Sequence, residues 1–230
     1  FLIKQVVSRN EVEGKKLAVI LECQYANFSG LLEEGVDVVL IALSDDAISS
    51  CFSFLKGFNK LVVHTAAAVS IDVLAEVSPH YGIIYPLQSV RKEIERPVEI
   101  PFLFEANSVQ SKKTIEQILE KLSDKNYEAS YEERIKLHVS AVFANNFVNH
   151  FYHLAAAFCE KENLPFVALR PLIEETAFRL RYGPPHNFQT GPALRHDEQT
   201  LDKHRDLLKS HPHLLEMYEA ATRSIQQFNK

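Results

Sequence analysis

The chain has 230 residues, 46% of them hydrophobic and 24% charged, with 25 Lys and Arg against 30 Asp and Glu for a net charge of −5. This is the composition of one large or two small globular domains with a sizeable core, and it excludes the disordered, collagen-like and disulfide-scaffold classes. The mild acidity argues against phosphate-backbone binding, so no nucleic-acid partner is expected. The most apolar stretch, residues 141–159, is interrupted by Asn145, Asn146, Asn149, His150 and His153, so no membrane span is expected either. Cys23, Cys51 and Cys159 are widely spaced and include no C-x-x-C pair. They offer no disulfide or zinc framework, and with no signal-peptide pattern at the start the expected location is cytoplasmic.

In chain order, residues 1–7 read as a β-strand closed by Ser8-Arg9-Asn10, followed by a helix over 11–21. Residues 36–43 form an apolar run broken only by Asp37, the pattern of a strand buried on both faces. Residues 61–65 and 81–85 repeat it, with helices near 46–55 and 70–77 between them. Residues 100–105 read as a further strand. Ile115, Ile118, Leu119 and Leu122 then fall at i, i+3, i+4 and i+7 of an amphipathic helix. Alternating β and α segments at this rhythm predict a parallel sheet with helices on both faces over residues 1–131.

Beyond residue 131 the β signal ends. Ser130 and Glu133 form a capping box that opens a long helix, expected to run to about residue 163, where Leu164-Pro165 stops it. Residues 137–159 are apolar on nearly every side. A helical domain over 132–230 has little surface of its own to bury them, so burial against the first domain or a second copy is required, and a homodimer is expected. Further helices are expected over 166–181, 197–209 and 213–228, with an irregular connection over 183–192.

A doubly wound sheet binds ligands at the carboxyl ends of its strands, where the strand order reverses. A G-x-G-x-x-G turn after the first strand would let the backbone approach a pyrophosphate. The seven glycines (Gly14, Gly30, Gly35, Gly57, Gly82, Gly183 and Gly191) include no two separated by one residue, so that fingerprint is absent. Residues 1–7 therefore read as a second strand, which ends beside an adenosine ribose. Ser8 and Arg9 suit the 2′-phosphate of NADP, where an acid would select NAD; they serve equally to end a strand. Ala42-Leu43-Ser44-Asp45 and His64-Thr65 end the next two strands and are candidates for cofactor binding. Against that, Ser44 is an ordinary helix cap and His64-Thr65 an ordinary strand end.

On the long helix, about 100° per residue places Asn145 and Asn149 within about 20° of His138. An imidazole and two amides on one stripe suit the polarisation of a carbonyl or imine during hydride transfer, and suit packing inside a bundle equally well. His150 with His153, and His211 with His213, are ligand pairs without a third ligand at useful spacing, so no metal is expected. Glu174-Glu175-Thr176 reads equally as facing the crevice between domains or as a solvated acidic helix face, Asp197 as a helix N-cap, and Arg195 as a partner across the dimer.

Three N-terminal blocks carry a resemblance: Val39-Leu40-Ile41-Ala42-Leu43-Ser44-Asp45, His64-Thr65 and Tyr85-Pro86-Leu87-Gln88-Ser89. Three C-terminal blocks carry it more specifically: Leu137-His138 through Phe143-Ala144-Asn145-Asn146-Phe147-Val148-Asn149-His150; Pro171-Leu172-Ile173-Glu174-Glu175-Thr176; and Gln189-Thr190-Gly191-Pro192-Ala193 with Arg195 and Asp197. Together they resemble, over essentially the whole chain, an uncharacterised bacterial family. Its members pair a Rossmann-like NADP-oxidoreductase domain with a C-terminal helical domain of unknown function. The family is similar to pyrroline-5-carboxylate reductase and the 6-phosphogluconate-dehydrogenase-like enzymes. The resemblance implies a Rossmann-like dinucleotide-binding domain over 1–131 and a helical dimerisation and substrate domain over 132–230. It further implies an NADP(H)-dependent oxidoreductase, with NAD possible, acting on a small carbonyl, imine or hydroxy substrate. The alternative is a non-catalytic dimeric dinucleotide-binding or sensor protein, because the Lys of the related dehydrogenases is missing. Lys136 lies about 160° from the stripe, leaving His138 to take that role.

Two departures from the family stand out. Its members begin with one more strand, a glycine-rich turn and a helix, whereas this chain opens on Phe1-Leu2-Ile3. In the order 3-2-1-4-5-6 that strand is central, so without it the second and fourth strands are unpaired. A natural protein longer by about 25–30 residues, one strand–helix unit, is the expectation. The second departure is Ala66-Ala67-Ala68, where a Ser- or Gly-containing turn is expected.

Overall fold

Two short strands and a helix open the computed structural model, which describes residues 1–91 and 99–228. Strands β1 (Gln5–Val7) and β2 (Gln24–Ala26) pair in parallel across α1 (Glu11–Ile20). The Asn10 side chain accepts from the Glu13 amide and so starts α1. Gly14 is buried, and a Cβ there would run into the Tyr25 ring and Ser8 Cβ; its absence lets the helix lie close on the two strands.

A separate five-stranded sheet follows. Its order is β3 (Val38–Ile41), β4 (Leu61–His64), β5 (Tyr81–Pro86), β6 (Phe102–Ala106) and β7 (Asn126–Glu128). Every neighbouring pair is parallel except β5 and β6, which run antiparallel. The expected α/β class with a parallel core holds, with one reversed junction. Strand β4 is buried throughout, and its alternation feeds two cores. Val62 packs with Ile41, Ile48, Cys51, Leu55 and Leu74 on one face. Leu61 and Val63 pack with Ile84, Phe104 and the Ile115 and Leu119 side chains of α2 (Val109–Leu119) on the other.

Several expectations are corrected. Strand β3 is not buried on both faces: Leu40 is 57% exposed, because β3 has a ladder partner on one side only among the described residues. The segments expected as helices near 46–55 and 70–77 are 3₁₀ turns, Asp45–Cys51 and Ile71–Leu74. Their buried pairs, Ile48 with Cys51 and Ile71 with Leu74, stand three apart, and three residues per turn put such a pair on one face. Strands β2 and β7, three residues each, carry too little pattern to be read from sequence.

The capping box is present in both halves, Ser130 accepting from the Glu133 amide and Glu133 from the Ser130 amide. It opens α3 (Tyr131–Ala141), which passes through a π-helical turn over Val142–Phe147 into α4 (Val148–Lys161), so the expected long helix forms, with a π turn within it. The chain divides in that turn into two compact units, Phe1–Asn146 and Phe147–Lys230, later than residue 131. The second unit is helical, with α5 (Arg170–Phe178), α6 (Glu198–Leu208) and α7 (Pro212–Phe228) joined by 3₁₀ turns. Asp197 caps α6 by accepting from the Thr200 amide. Arg205 to Glu219 at 2.7 Å and His204 to Tyr218 at 2.9 Å tie α6 to α7. Buried apolar side chains in this unit are few, while Phe147, Phe151, Leu172 and Leu180 are exposed.

Candidate functional site

At the carboxyl end of β4 the chain turns on His64. Its side chain is fully buried, and Nδ1 accepts from the Ala66 amide at 3.2 Å. The Thr65 amide donates to the Ile41 carbonyl at 3.2 Å and ties this strand end to that of β3. Among the described residues, His64 Nε2 has no partner in hydrogen-bonding geometry. Burial, with the Arg134 cation second, holds the imidazole down at about 4, against a weak upward pull from the Ser70 backbone.

Arg134, on α3, is fully buried. Its Nε donates to the Ala67 carbonyl at 3.1 Å, and its Nη2 to the Val69 carbonyl at 2.9 Å. Its Nη1 meets a Glu105 carboxylate oxygen on β6 at 2.7 Å and the Ala129 carbonyl at 3.5 Å. The guanidinium thus satisfies two carbonyls of the loop after β4 and pins α3 to it. A buried charge bonded to four acceptors, three of them backbone carbonyls, is a fastening of the fold. The Tyr131 hydroxyl adds a bond to the Ala68 carbonyl at 3.4 Å, and its ring lies under the guanidinium at 5.5 Å.

One turn further along α3, on the same face as Arg134, stands His138. Its Nδ1 lies 3.0 Å from the Tyr85 hydroxyl at the end of β5, and the two rings meet edge-on at 69°. Burial pushes the Tyr85 hydroxyl above its ordinary range, so the phenol keeps its proton. Among the described residues, His138 Nε2 has no hydrogen-bond partner, and the side chain is partly open to solvent. A titratable group therefore stands at the carboxyl edge of a parallel sheet, where ligands of such sheets bind.

The remaining candidates are distributed as follows. Ala42, Ser44 and Asp45 are exposed after β3 and Leu43 is half-buried; Ser44 starts the 3₁₀ turn through its carbonyl and makes no side-chain cap. Thr65 is half-buried at the end of β4. His64 is a fully buried ring bonded to its own loop, which is the strand-end alternative of the two sequence readings. Ser8 and Arg9 end β1, in the other sheet. The Ser8 Oγ accepts from the Asn10 amide at 3.1 Å, and Arg9 is exposed. Asn145 and Asn149 are both exposed, and the stripe they were to share with His138 is corrected. The π turn breaks the 100° rule between His138 and Asn149, and the two belong to different units.

Tyr85 and Arg134 were missed as working residues. The available signal was an Arg and a His four apart on one helix. Elsewhere, Glu175 binds Arg179 at 2.9 Å and Thr176 bonds back to Leu172, as surface residues do. The 189–197 block contributes Thr190, Gly191, Pro192 and Ala193 to a cavity of about 220 Å³ inside the second unit. Among the described residues no three His, Cys, Asp or Glu side chains gather. No described helix is long and apolar enough to cross a membrane.

The family built on the domain of unknown function DUF2520 matches residues 100–225. A Bacteroides fragilis protein provisionally named an NADP oxidoreductase is 37% identical, with 98% of this chain and 88% of that chain covered and a TM-score of 0.89. The 1-pyrroline-5-carboxylate reductase of Streptococcus pyogenes shares the fold at 13% identity, TM-score 0.61, covering 97% of this chain and 88% of its own. The pyrroline carboxylate reductase of Plasmodium falciparum, solved with NADP bound, does so at 14% identity and TM-score 0.55, with 99% and 98% covered. No curated protein matches the chain. With a Rossmann-like α/β unit followed by a helical one, the chain belongs to the DUF2520 family.

Proposed function

We propose that the protein is an NADP(H)-dependent oxidoreductase acting on a small carbonyl, imine or hydroxy compound. The observation that carries this reading is His138, a half-open imidazole fastened by α3 at the carboxyl edge of β4 and β5. The naming of the Bacteroides fragilis relative and the NADP held by the Plasmodium falciparum reductase support it.

The residues present fit the cofactor in part. Arg9 is an exposed cation, and the Ser8 hydroxyl, which accepts from Asn10, keeps its own proton to donate; the pair suits a phosphate monoester. Ala42 and Ser44 leave the end of β3 open to a ligand. Ser8, Arg9, Ala42–Asp45 and Thr65 are the residues of this chain that would contact the dinucleotide. When bound, the reduced nicotinamide supplies a hydride. The part left to this chain is to orient the substrate and to offer its heteroatom a donor from His138.

The protein acts as a homodimer in this proposal, since the second unit leaves Phe147, Phe151, Leu172 and Leu180 exposed. Sedimentation of a monomer at micromolar concentration would remove that part. The three free cysteines suit a reducing compartment, and we assign the protein to the cytoplasm. The main test is a fluorescence titration with NADPH and NADH, followed by NADPH oxidation over a panel of carbonyls and cyclic imines. NADPH-preferring binding with turnover is the expected result. Binding without turnover would favour a dinucleotide-binding sensor, and no binding would end the cofactor reading.

A further inference from the structure

The Tyr85 hydroxyl and His138 Nδ1 are 53 positions apart in sequence and 3.0 Å apart in space. They come from different elements, a strand end and a helix, and the helix is held in place by another residue. Arg134, one turn before His138, spends its donors on the Ala67, Val69 and Ala129 carbonyls and on Glu105. The imidazole is therefore set from two sides: its backbone by Arg134 and its ring by Tyr85. A phenol is a better donor than a neutral imidazole N–H, and an sp² ring nitrogen a better acceptor than a phenol oxygen. The bond accordingly runs from the Tyr85 O–H to Nδ1. Neutral imidazole carries one proton, so with Nδ1 accepting, that proton lies on Nε2.

We propose that Tyr85 is a positioning residue, which locks His138 as the Nε2–H tautomer and aims that N–H as a donor at the carbonyl oxygen or imine nitrogen of the substrate. The substrate half of this statement rests on the oxidoreductase reading; the tautomer half does not. A donor on Nε2 polarises the C=O or C=N bond toward hydride attack, whereas the other tautomer would present a lone pair and repel the same heteroatom. No lysine is needed in this arrangement.

The test has a spectroscopic arm and a kinetic arm. In ¹⁵N-histidine-labelled protein at about pH 8, where an ordinary imidazole is neutral, long-range ¹H–¹⁵N correlations report which ring nitrogen carries the proton. The His138 signals are assigned by their loss in His138→Gln. The wild type should show a protonated Nε2 and a bare Nδ1. In Tyr85→Phe, which keeps the ring and loses only the hydroxyl, the two nitrogen shifts should converge as the tautomers mix. A wild-type signal protonated at Nδ1, or already mixed, overturns the proposal whatever Tyr85→Phe does. An unchanged His138 signal in Tyr85→Phe overturns it as well. In the kinetic arm, Tyr85→Phe should lower kcat with a cyclic imine on the order of 100-fold and leave the KM for NADPH unchanged. A rise in that KM with kcat unchanged would refute the positioning role. A wild type that fails to oxidise NADPH with every carbonyl and imine of the panel sinks the oxidoreductase reading, while the spectra still decide what Tyr85 does to His138.

Discussion

His64 makes the folded state sensitive to acid in a calculable way. The ring is fully buried, with Nδ1 committed to the Ala66 amide, so protonation must both break that bond and place a charge beside Arg134. Burial chiefly, and the Arg134 cation next, hold it at about 4, whereas in the unfolded chain it titrates at the ordinary 6.5. Between those values the unfolded chain binds one proton more than the native one, so unfolding free energy rises with pH across this window. The contribution is complete above about pH 6.5 and falls by about 1.4 kcal/mol per pH unit below it. About 3 kcal/mol is gone by pH 4. His64→Asn offers Oδ1 in place of Nδ1 to the Ala66 amide and removes the titration. Urea unfolding of both proteins from pH 7 down to 4 isolates this residue, because the other histidines and the carboxylates act alike in both. The stability lead of the wild type over the variant should shrink steadily as the pH falls. Parallel curves would refute the reasoning.

Three further outcomes are expected. Arg134→Met leaves Glu105 without its cation and the Ala67 and Val69 carbonyls without a donor, and should cost about 3–5 kcal/mol in urea unfolding; a loss under about 1 kcal/mol would show that solvent replaces the guanidinium. Gly82→Ala drives a Cβ against the Glu105 carbonyl and to 2.7 Å from the Ile115 methyl, so a loss of about 1–3 kcal/mol is expected, and an unchanged thermal midpoint would contradict the packing of β5 on β6. Arg9→Ala should weaken NADPH relative to NADH by about 1–3 kcal/mol; equal losses for both cofactors would leave Arg9 without a role at the 2′-phosphate.

Features legible in the sequence depend on short stretches of chain. The Ser130–Glu133 box and the Asp197 cap are side chains bonding the backbone three residues away, and both stand as expected. The strands β3, β4 and β5 announce themselves as apolar runs, and α2 by Ile115, Ile118 and Leu119, although Leu122, the fourth apolar position of that reading, lies beyond the helix and is exposed. From these the α/β unit and the following helices were readable, and with them the strand ends where a ligand site belongs. What the local pattern does not carry is partner choice. Strand β6 has the same apolar pattern whether it pairs parallel or antiparallel with β5, and β3 reads as a central strand although it has one ladder partner among the described residues. A helix-period extrapolation from His138 to Asn149 fails at the π turn, because that turn changes the register without changing the composition. His64 could be read as a cofactor contact or as an ordinary strand end, and packing makes it a buried ring bonded to its own loop. Only the folded chain brings Arg134 to the carbonyls after β4, and His138 to Tyr85 across 53 residues of sequence. Capping and periodicity are settled within one or two turns of backbone, whereas which distant groups satisfy a buried guanidinium or orient an imidazole is settled by packing.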